Sequence, residues 1–240
     1  PEYHPNTGIE TTTGPLGQGL ANAVGFALAE RFLKERWGEN IINHRTYVIA
    51  GDGCLMEGIS QEAISFAGKQ KLGKLILLWD DNGITIDGEV SKSCITNQPK
   101  RFRASGWDTF ECDGHDPDSI NRALSEAKRT LLPSLIQCKT HIGFGSPSKQ
   151  DKASSHGSPL GDDEITLVRK KLKWNKEPFQ ISQEILDEWK KIGNKGELLE
   201  KKWLESINKK NPKIKSELEK NYIKSDMGQL ESLIEKEKEK

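Results

Sequence analysis

Two short apolar runs, each followed by a polar cluster, constrain this chain more than any other feature. Residues 46–50 precede Gly-Asp-Gly at 51–53, and residues 75–79 precede Asp-Asp-Asn at 80–82. Such runs predict strands buried on both faces of a parallel sheet. Residues 57–70, between them, have helical spacing of their apolar side chains. The sequence therefore predicts a strand–helix–strand unit whose polar clusters lie where open α/β sheets bind ligands.

The polar clusters carry the donors of a magnesium site. Asp52 offers a carboxylate and Asn82 an amide oxygen, while Gly53 lets a bulky anion approach the backbone closely. A few hard oxygen donors suit Mg²⁺, which completes its octahedron with diphosphate oxygens and water. Gly-Asp-Gly alone is typical of a turn, but the second cluster after the second strand favours a ligand site. Residues 80–83 lack the Gly and Glu positions of an EF-hand loop.

The rest of the chain alternates helical and strand patterns until about residue 178. We predict helices at about 20–37, 102–105, 117–131 and 162–172, strands at 107–112 and 134–139, and a loop at 86–98. Beyond residue 178, Lys and Glu dominate, with intermittent Ile, Leu and Trp and no strand pattern. There we predict amphipathic helices separated by Gly and Pro breaks, which lead to another domain. A partner-binding or basic nucleic-acid arm is the alternative for this tail.

Composition argues against several classes of function. The 240 residues include 36 Lys and Arg and 36 Asp and Glu, a balance that predicts no nucleic-acid or membrane partner. The longest apolar run has five residues, and no secretory or transit leader is visible. Four scattered cysteines without Cys-x-x-Cys spacing indicate reduced thiols and a cytoplasmic location. Because the chain opens on Pro1, we expect it to be a piece of a longer protein.

Four loop segments hold further candidates. Residues 14–19, Gly-Pro-Leu-Gly-Gln-Gly, lead into a predicted helix whose N-terminal amides can meet an anion, although they fit neither the Rossmann fingerprint nor the P-loop. His115 follows one predicted strand, and His141 and His156 follow the last. His4 lies in an irregular entry segment. An ordinary solvated role is the alternative for each histidine.

At these motifs the chain resembles the transketolase family of thiamine-diphosphate enzymes. Residues 51–58 and 80–88 are similar to the family's diphosphate and metal motif, with Asp81 where many other thiamine enzymes carry Asn. Residues 12–19, 139–147 and 155–161 are similar to further transketolase segments.

The resemblance is dense over residues 1–179 and looser beyond. It implies a doubly wound α/β fold with a mostly parallel sheet and helices on both faces, followed by a helical tail. Residues 1–179 would be a diphosphate-binding domain that is incomplete at its N terminus. Residues 180–240 would be a charged helical linker toward a pyrimidine-binding domain that this chain lacks.

The resemblance also implies a role for each matching residue. Asp52, Asn82 and the backbone carbonyl of Ile84 would hold Mg²⁺, with Ca²⁺ as a substitute, and the ion would anchor thiamine diphosphate. His156 would be the catalytic residue, contacting substrate oxygens and the diphosphate side of the cofactor, and Glu57 would join a carboxylate network that reaches the partner subunit. The implied cofactor-binding residues are Gly14, Pro15, Leu16, Gly53, Glu57, Asn82 and His156.

The implied activity is transfer of a two-carbon glycolaldehyde unit from a ketose phosphate to an aldose phosphate, in the pentose phosphate pathway, by a homodimer. We expect the chain alone to be inactive, because the family's early histidines and its pyrimidine-binding domain are missing from it. Three alternatives stay open: another thiamine enzyme such as dihydroxyacetone synthase or deoxyxylulose-phosphate synthase, a non-catalytic Rossmann-type nucleotide binder, and a non-catalytic interaction subunit.

Overall fold

The computed structural model describes residues 8–9, 11–210 and 214–217, so His4 lies outside the described residues. The chain divides into two compact units, one drawn from residues 1–32 and 44–177 and the other from residues 33–43 and 178–240. The predicted domain boundary after residue 179 stays a prediction.

A four-stranded parallel sheet forms the centre of the first unit. Its strands are β1 (Thr46–Gly51), β2 (Leu75–Asp81), β5 (Asp108–Asp113) and β6 (Ser134–Lys139), in the spatial order β1-β2-β6-β5. Two short strands after β2, β3 (Ile84–Thr85) and β4 (Gly88–Glu89), pair as an antiparallel hairpin. The register pairs Gly51 with Asp80, Asp80 with Cys138, and Cys138 with Cys112. The carboxyl ends of all four strands therefore lie side by side.

Helices cover both faces of this sheet, as the sequence predicts. The helices are α1 (Gln18–Trp37), α2 (Asp52–Met56), α3 (Gly58–Gln70), α4 (Gln98–Ala104), α5 (Pro117–Ala127) and α6 (Asp162–Lys171). Apolar residues of α1, α3 and α4 pack with Leu75 and Leu77 of β2. On the other face, Ala123 and Ala127 of α5 pack with Ile76. Because successive side chains of β2 enter different cores, the strand is an unbroken apolar run. The doubly wound α/β prediction is confirmed.

Local boundaries differ from the sequence predictions in three places. The predicted helix 57–70 is α3, which begins one residue later because Glu57 is extended at φ −65° and ψ 142°. The short helix α2, in the segment expected to be a polar turn, was not predicted. Helix α4 begins at Gln98, ahead of the predicted start, because the Asn97 side chain caps it and accepts a 3.0 Å hydrogen bond from the Lys100 amide. The predicted loop 86–98 includes β4 and a 3₁₀ turn, Val90–Lys92.

In the second unit, α7 (Gln183–Lys210) is one continuous helix of 28 residues. The predicted glycine breaks are therefore wrong at Gly193 and Gly196; each glycine costs a helix only about 1 kcal/mol, which the surrounding Lys, Glu and Leu residues offset. Trp203 Nε1 donates a 2.9 Å hydrogen bond to the Ile41 carbonyl, and Ile207 is buried against Ile41. In the described part of the chain, no helix is both long and apolar enough to cross a membrane.

Candidate functional site

A cleft of about 570 Å³ opens at the carboxyl edge of the sheet. Residues that follow each of the four strands line it, because the parallel arrangement brings these four strand ends to one edge. Of the predicted site residues, the cleft brings together Leu16, Asp52, Gly53, Asn82, Ile84 and His156. Gly14, Pro15 and Glu57 are exposed and are not among its lining residues.

Asp52 is the buried anion of this cleft, with 7% of its surface exposed. Its Oδ1 accepts a 3.1 Å hydrogen bond from Trp79 Nε1. Its Oδ2 is buried and makes no hydrogen bond of normal length and angle in the described part of the protein, although the Gly83 backbone is close enough to the carboxyl to lower its pKa. A buried carboxylate oxygen without a partner is costly unless a cation or a donor meets it. The residues present therefore fit a metal ion at Asp52.

Burial and neighbouring charges disfavour the ionised form of Asp52. Burial raises the pKa of the Asp52 carboxyl to about 6 from its ordinary 3.8, against the lowering effect of the Trp79 hydrogen bond. The carboxylates of Asp81 and Asp80 raise this pKa further. A divalent cation would remove this penalty, because it attracts all three carboxylates.

Asn82 is held by the chain around it. Its Oδ1 accepts a 2.9 Å hydrogen bond from the Ile84 amide, and its Nδ2 donates a 3.0 Å hydrogen bond to Asp80 Oδ2. Thr140 Oγ1 donates to the other oxygen of Asp80. These contacts orient the Asn82 amide and tie the end of β2 to the residue that follows β6. An sp² oxygen has a second lone pair, so Asn82 Oδ1 can still meet a cation.

The donor set matches magnesium chemistry better than transition-metal chemistry. Among the residues that the structure describes, no cluster of three or more His, Cys, Asp or Glu side chains could hold a metal ion. The cleft instead offers the carboxylates of Asp52 and Asp80, the amide oxygen of Asn82 and the backbone at Ile84. Mg²⁺ commonly binds through one or two carboxylates together with phosphate oxygens and water. These residues would thus hold the ion jointly with an anionic ligand.

Glycines bring the N-terminal loop close to the metal-binding turn. A Cβ placed on Gly53 would lie 3.0 Å from Leu16 Cδ1, so the Leu16 side chain covers Gly53. Gly17 has φ +83° and sits against α3, where a Cβ would approach Ser60 Oγ to 2.9 Å. Gly17 requires glycine both for its backbone conformation and for space, whereas a Cβ at Gly53 would require the end of the Leu16 side chain to shift. They seat the loop before α1 beside Asp52.

Three histidines line the cleft, and sequence reasoning favoured only one of them. His156 lines it, as the resemblance implies. His115 and His141 line it as well, and the rings of these two stack on each other at 5.6 Å between centroids. Their positions directly after β5 and β6 are the signal that identifies them, because strand ends converge at this edge. Trp79 and Thr140 were also missed, since their hydrogen bonds join different strands.

Comparisons with known proteins identify the family of this chain. The family model for "Transketolase, thiamine diphosphate binding domain" matches residues 1–228. A transketolase of Rhodobacter capsulatus is 56% identical over 203 residues, which cover 85% of this chain and 30% of the relative. A transketolase of Buchnera aphidicola is 54% identical over 212 residues, covering 86% of this chain and 32% of the relative.

Solved structures give the same result. A transketolase from Campylobacter jejuni superposes with a TM-score of 0.84 at 38% identity, covering 90% of this chain and 34% of that one. A Pichia stipitis transketolase in complex with sedoheptulose 7-phosphate superposes at 0.82 with 37% identity, covering 87% of this chain and 32% of that one. The chain thus spans about a third of the length of the relatives it matches. The chain belongs to the transketolase family and matches the thiamine diphosphate binding domain of that family.

Proposed function

We propose that this chain provides the metal and diphosphate half of a transketolase active site. The single observation that carries the proposal is the buried Oδ2 of Asp52, which makes no hydrogen bond of normal geometry in the described structure and belongs to a residue that lines the cleft at the strand ends. The family match supports thiamine diphosphate as the ligand. The activity would be transfer of a glycolaldehyde unit from a ketose phosphate to an aldose phosphate.

Asp52, Asn82 and the Ile84 carbonyl would hold Mg²⁺, or Ca²⁺ in its place, between the protein and the diphosphate. Gly53 leaves room for the anion at the backbone, and Leu16 closes the cleft over that turn. When bound, thiamine diphosphate supplies the electron sink that cleavage of a carbon–carbon bond next to a carbonyl requires. The chain's own contribution is to bind and orient this group and to exclude water beside Asp52.

His156 would contact substrate oxygens at the cleft. It is exposed and follows the 3₁₀ turn Ala153–Ser155, and its amide donates a 2.9 Å hydrogen bond to the Ala153 carbonyl. An imidazole in this place can donate a hydrogen bond to a substrate oxygen or accept one from a substrate hydroxyl. Gly14, Pro15 and Glu57 belong to the proposal through the family resemblance alone.

Assembly and location complete the proposal. Transketolase relatives support sugar-phosphate substrates and a homodimer, in which Glu57 would reach the partner subunit. The scattered thiols support a cytoplasmic location. Because the matched relatives are about three times longer, we expect the chain to be inactive without a pyrimidine-binding domain.

Calorimetric titration tests this proposal directly. Thiamine diphosphate is titrated into the full-length protein, that is, the longest form of this protein that can be expressed. One titration contains Mg²⁺, and a second contains a chelator in place of the metal. We expect binding that depends on Mg²⁺. Asp52→Ala should weaken this binding by at least about a hundredfold, because the variant removes the buried carboxylate of the cleft. NAD titration under the same conditions tests the nucleotide-binding alternative.

Asp118→Ala is the matched control, because Asp118 is exposed on α5 and is not one of the residues that line the cleft. It should bind the cofactor as the wild type does. Binding that is unchanged by Asp52→Ala, or binding of NAD in preference to thiamine diphosphate, would overturn the proposal. A ketose donor screen then separates transketolase from dihydroxyacetone synthase.

A further inference from the structure

His115 and His141 form an imidazole pair on the part of the cleft farthest along the sheet from Asp52. Asp52 directly follows β1, and Asp80 lies near the end of β2. In the sheet, β6 is the next strand after β2, and β5 lies beyond β6. His141 follows β6 and His115 follows β5, and both rings line the cleft. The cleft therefore has a carboxylate side and an imidazole side.

A backbone hydrogen bond selects the tautomer of the neutral His115 ring. The His141 amide donates a 3.0 Å hydrogen bond to His115 Nε2. Because a backbone amide can only donate, His115 Nε2 is an acceptor and the proton of the neutral ring lies on Nδ1. In the described part of the chain no protein group pairs with Nδ1, so this N–H is available to a ligand.

A carboxylate orients the second ring. His141 Nδ1 lies 2.9 Å from Asp151 Oδ1, which leaves Nε2 without a protein partner in the described structure. Asp151 has φ +59°, a left-handed conformation that costs a non-glycine residue on the order of 1 kcal/mol. Burial acts against its ionisation, but hydrogen bonds from His141 and Gln150 outweigh burial and lower the pKa of Asp151. The turn thus keeps an ionised acceptor on His141.

Stacking holds the pair in place. The His115 ring stacks on Phe144 at 4.0 Å between centroids and 19° between planes, and on His141 at 5.6 Å and 17°. Phe144 is half exposed, so it serves as a platform for His115 at the protein surface. Two rings held by stacking and by hydrogen bonds are preorganised, so a ligand that binds them causes little further loss of side-chain entropy.

We infer that His115, held in place by His141, binds a phosphoryl oxygen of an anionic ligand in the cleft that contains Asp52. The inference rests on the proposed function, which supplies a metal-bound phosphate ligand. Carboxylates on one side of the cleft require a cation, whereas the Nδ1–H of His115 on the other side can donate to an anionic oxygen. The phosphoryl group belongs either to the diphosphate of the cofactor or to the sugar-phosphate substrate.

The test uses the His115→Ala/His141→Ala double variant of the full-length protein. One arm measures the Kd of Mg²⁺–thiamine diphosphate by calorimetry. The other arm measures KM for a ketose phosphate and for the unphosphorylated ketose. A cofactor source predicts a Kd that rises about tenfold, and a substrate source predicts a KM that rises about tenfold for the phosphorylated donor only.

His44→Gln is the matched control, because His44 is an exposed histidine that precedes β1 at the opposite edge of the sheet. The inference is overturned if the double variant matches His44→Gln in both arms. Should the wild type bind no thiamine diphosphate, the proposed function fails and titration with Mg²⁺ and inorganic pyrophosphate replaces the first arm. Pyrophosphate binding that is insensitive to both histidines then overturns the inference.

Asp151 is the positioning residue of this pair and has a test of its own. Asp151→Ala frees the His141 ring and should reproduce most of the loss seen for His141→Ala. Asp151→Asn keeps an oxygen acceptor for Nδ1–H and should restore binding to within about threefold of the wild type. Equal losses in the two Asp151 variants would show that this residue does not act through the ring of His141.

Discussion

Trp79 Nε1 lies 3.1 Å from Asp52 Oδ1, so the last apolar side chain of β2 holds the carboxylate that follows β1. Indole is only a donor, which keeps Oδ1 of Asp52 as an acceptor and leaves Oδ2 for a cation. The same hydrogen bond lowers the pKa of Asp52 against the effect of burial. One contact between neighbouring strands thus both orients the metal-binding carboxylate and favours its charged form.

Trp79→Phe should weaken binding of Mg²⁺–thiamine diphosphate by about tenfold, because it removes this donor and makes Asp52 harder to ionise. Calorimetry on the full-length protein measures the change. Trp107→Phe is the matched control: Trp107 Nε1 donates a 2.9 Å hydrogen bond to the Ile64 carbonyl in the core. It should lower stability and leave the Kd unchanged. Equal Kd values for Trp79→Phe and the wild type would refute the role of Trp79.

Asp52→Asn should stabilise the metal-free protein at about pH 8 by roughly 2 kcal/mol. The pKa of Asp52 in the folded protein is raised to about 6 from 3.8, so the fold favours the protonated carboxyl. The stabilisation by this carboxyl is complete below pH 3.8 and is lost as the pH rises through about 6. At about pH 4 the two proteins should therefore have similar free energies of unfolding. Urea denaturation in the presence of a chelator measures both. A variant less stable than wild type at the higher pH would contradict the prediction.

Glu164→Gln should lower the Tm at neutral pH by a few degrees. Glu164 is buried and accepts hydrogen bonds from Ser146 Oγ and, at 2.9 Å and 2.6 Å, from the amide and Oγ of Ser148. The Ser146 hydroxyl and the hydroxyl and amide of Ser148 lower the pKa of Glu164 to about 2 from 4.5.

Since the folded pKa of Glu164 is depressed, its contribution is present above 4.5 and is lost as the pH falls through 2. The Tm difference between variant and wild type should therefore shrink steadily below about pH 4.5. Glu126→Gln, at an exposed position of α5, is the control and should show little difference at any pH. A Tm difference for Glu164→Gln that is constant from neutral to acid pH would rule out this account.

Gly68→Ala should destabilise the protein by about 3 kcal/mol, because overpacking a core forces backbone to move. A Cβ at Gly68 of α3 would lie 1.7 Å from the Ser105 carbonyl oxygen. Gly25→Ala in α1 is the opposite case: nothing lies within 4 Å of its Cβ, and the helix should gain roughly 0.5–1 kcal/mol. Urea denaturation of both variants compares them. Similar free energies of unfolding for the two would show that α3 and the 105–107 turn do not pack as described.

Periodicity and residue type were sufficient to predict the parallel α/β fold and the place of Asp52 and Asn82. Strands buried on both faces need unbroken apolar runs, and such runs with polar ends are visible in one dimension. The glycine breaks in α7 were predicted wrongly because a penalty of about 1 kcal/mol for each glycine is smaller than the helix propensity of the residues around it. The start of α4 was missed because one capping side chain, Asn97, decides it.

The amino-acid pattern on its own identified the four strands of the parallel sheet, the side chains at their carboxyl ends and the family motif. Only the folded chain brought Trp79 onto Asp52, Thr140 onto Asp80, and His141 onto His115 and Asp151. The contacts of Thr140 with Asp80 and of His141 with His115 join β6 to β2 and to β5, and the order of these strands in the sheet, β1-β2-β6-β5, differs from their order along the chain. Spacing in the sequence shows on which face of a helix or strand a residue lies. Which residue of another element contacts that face depends on how the elements pack.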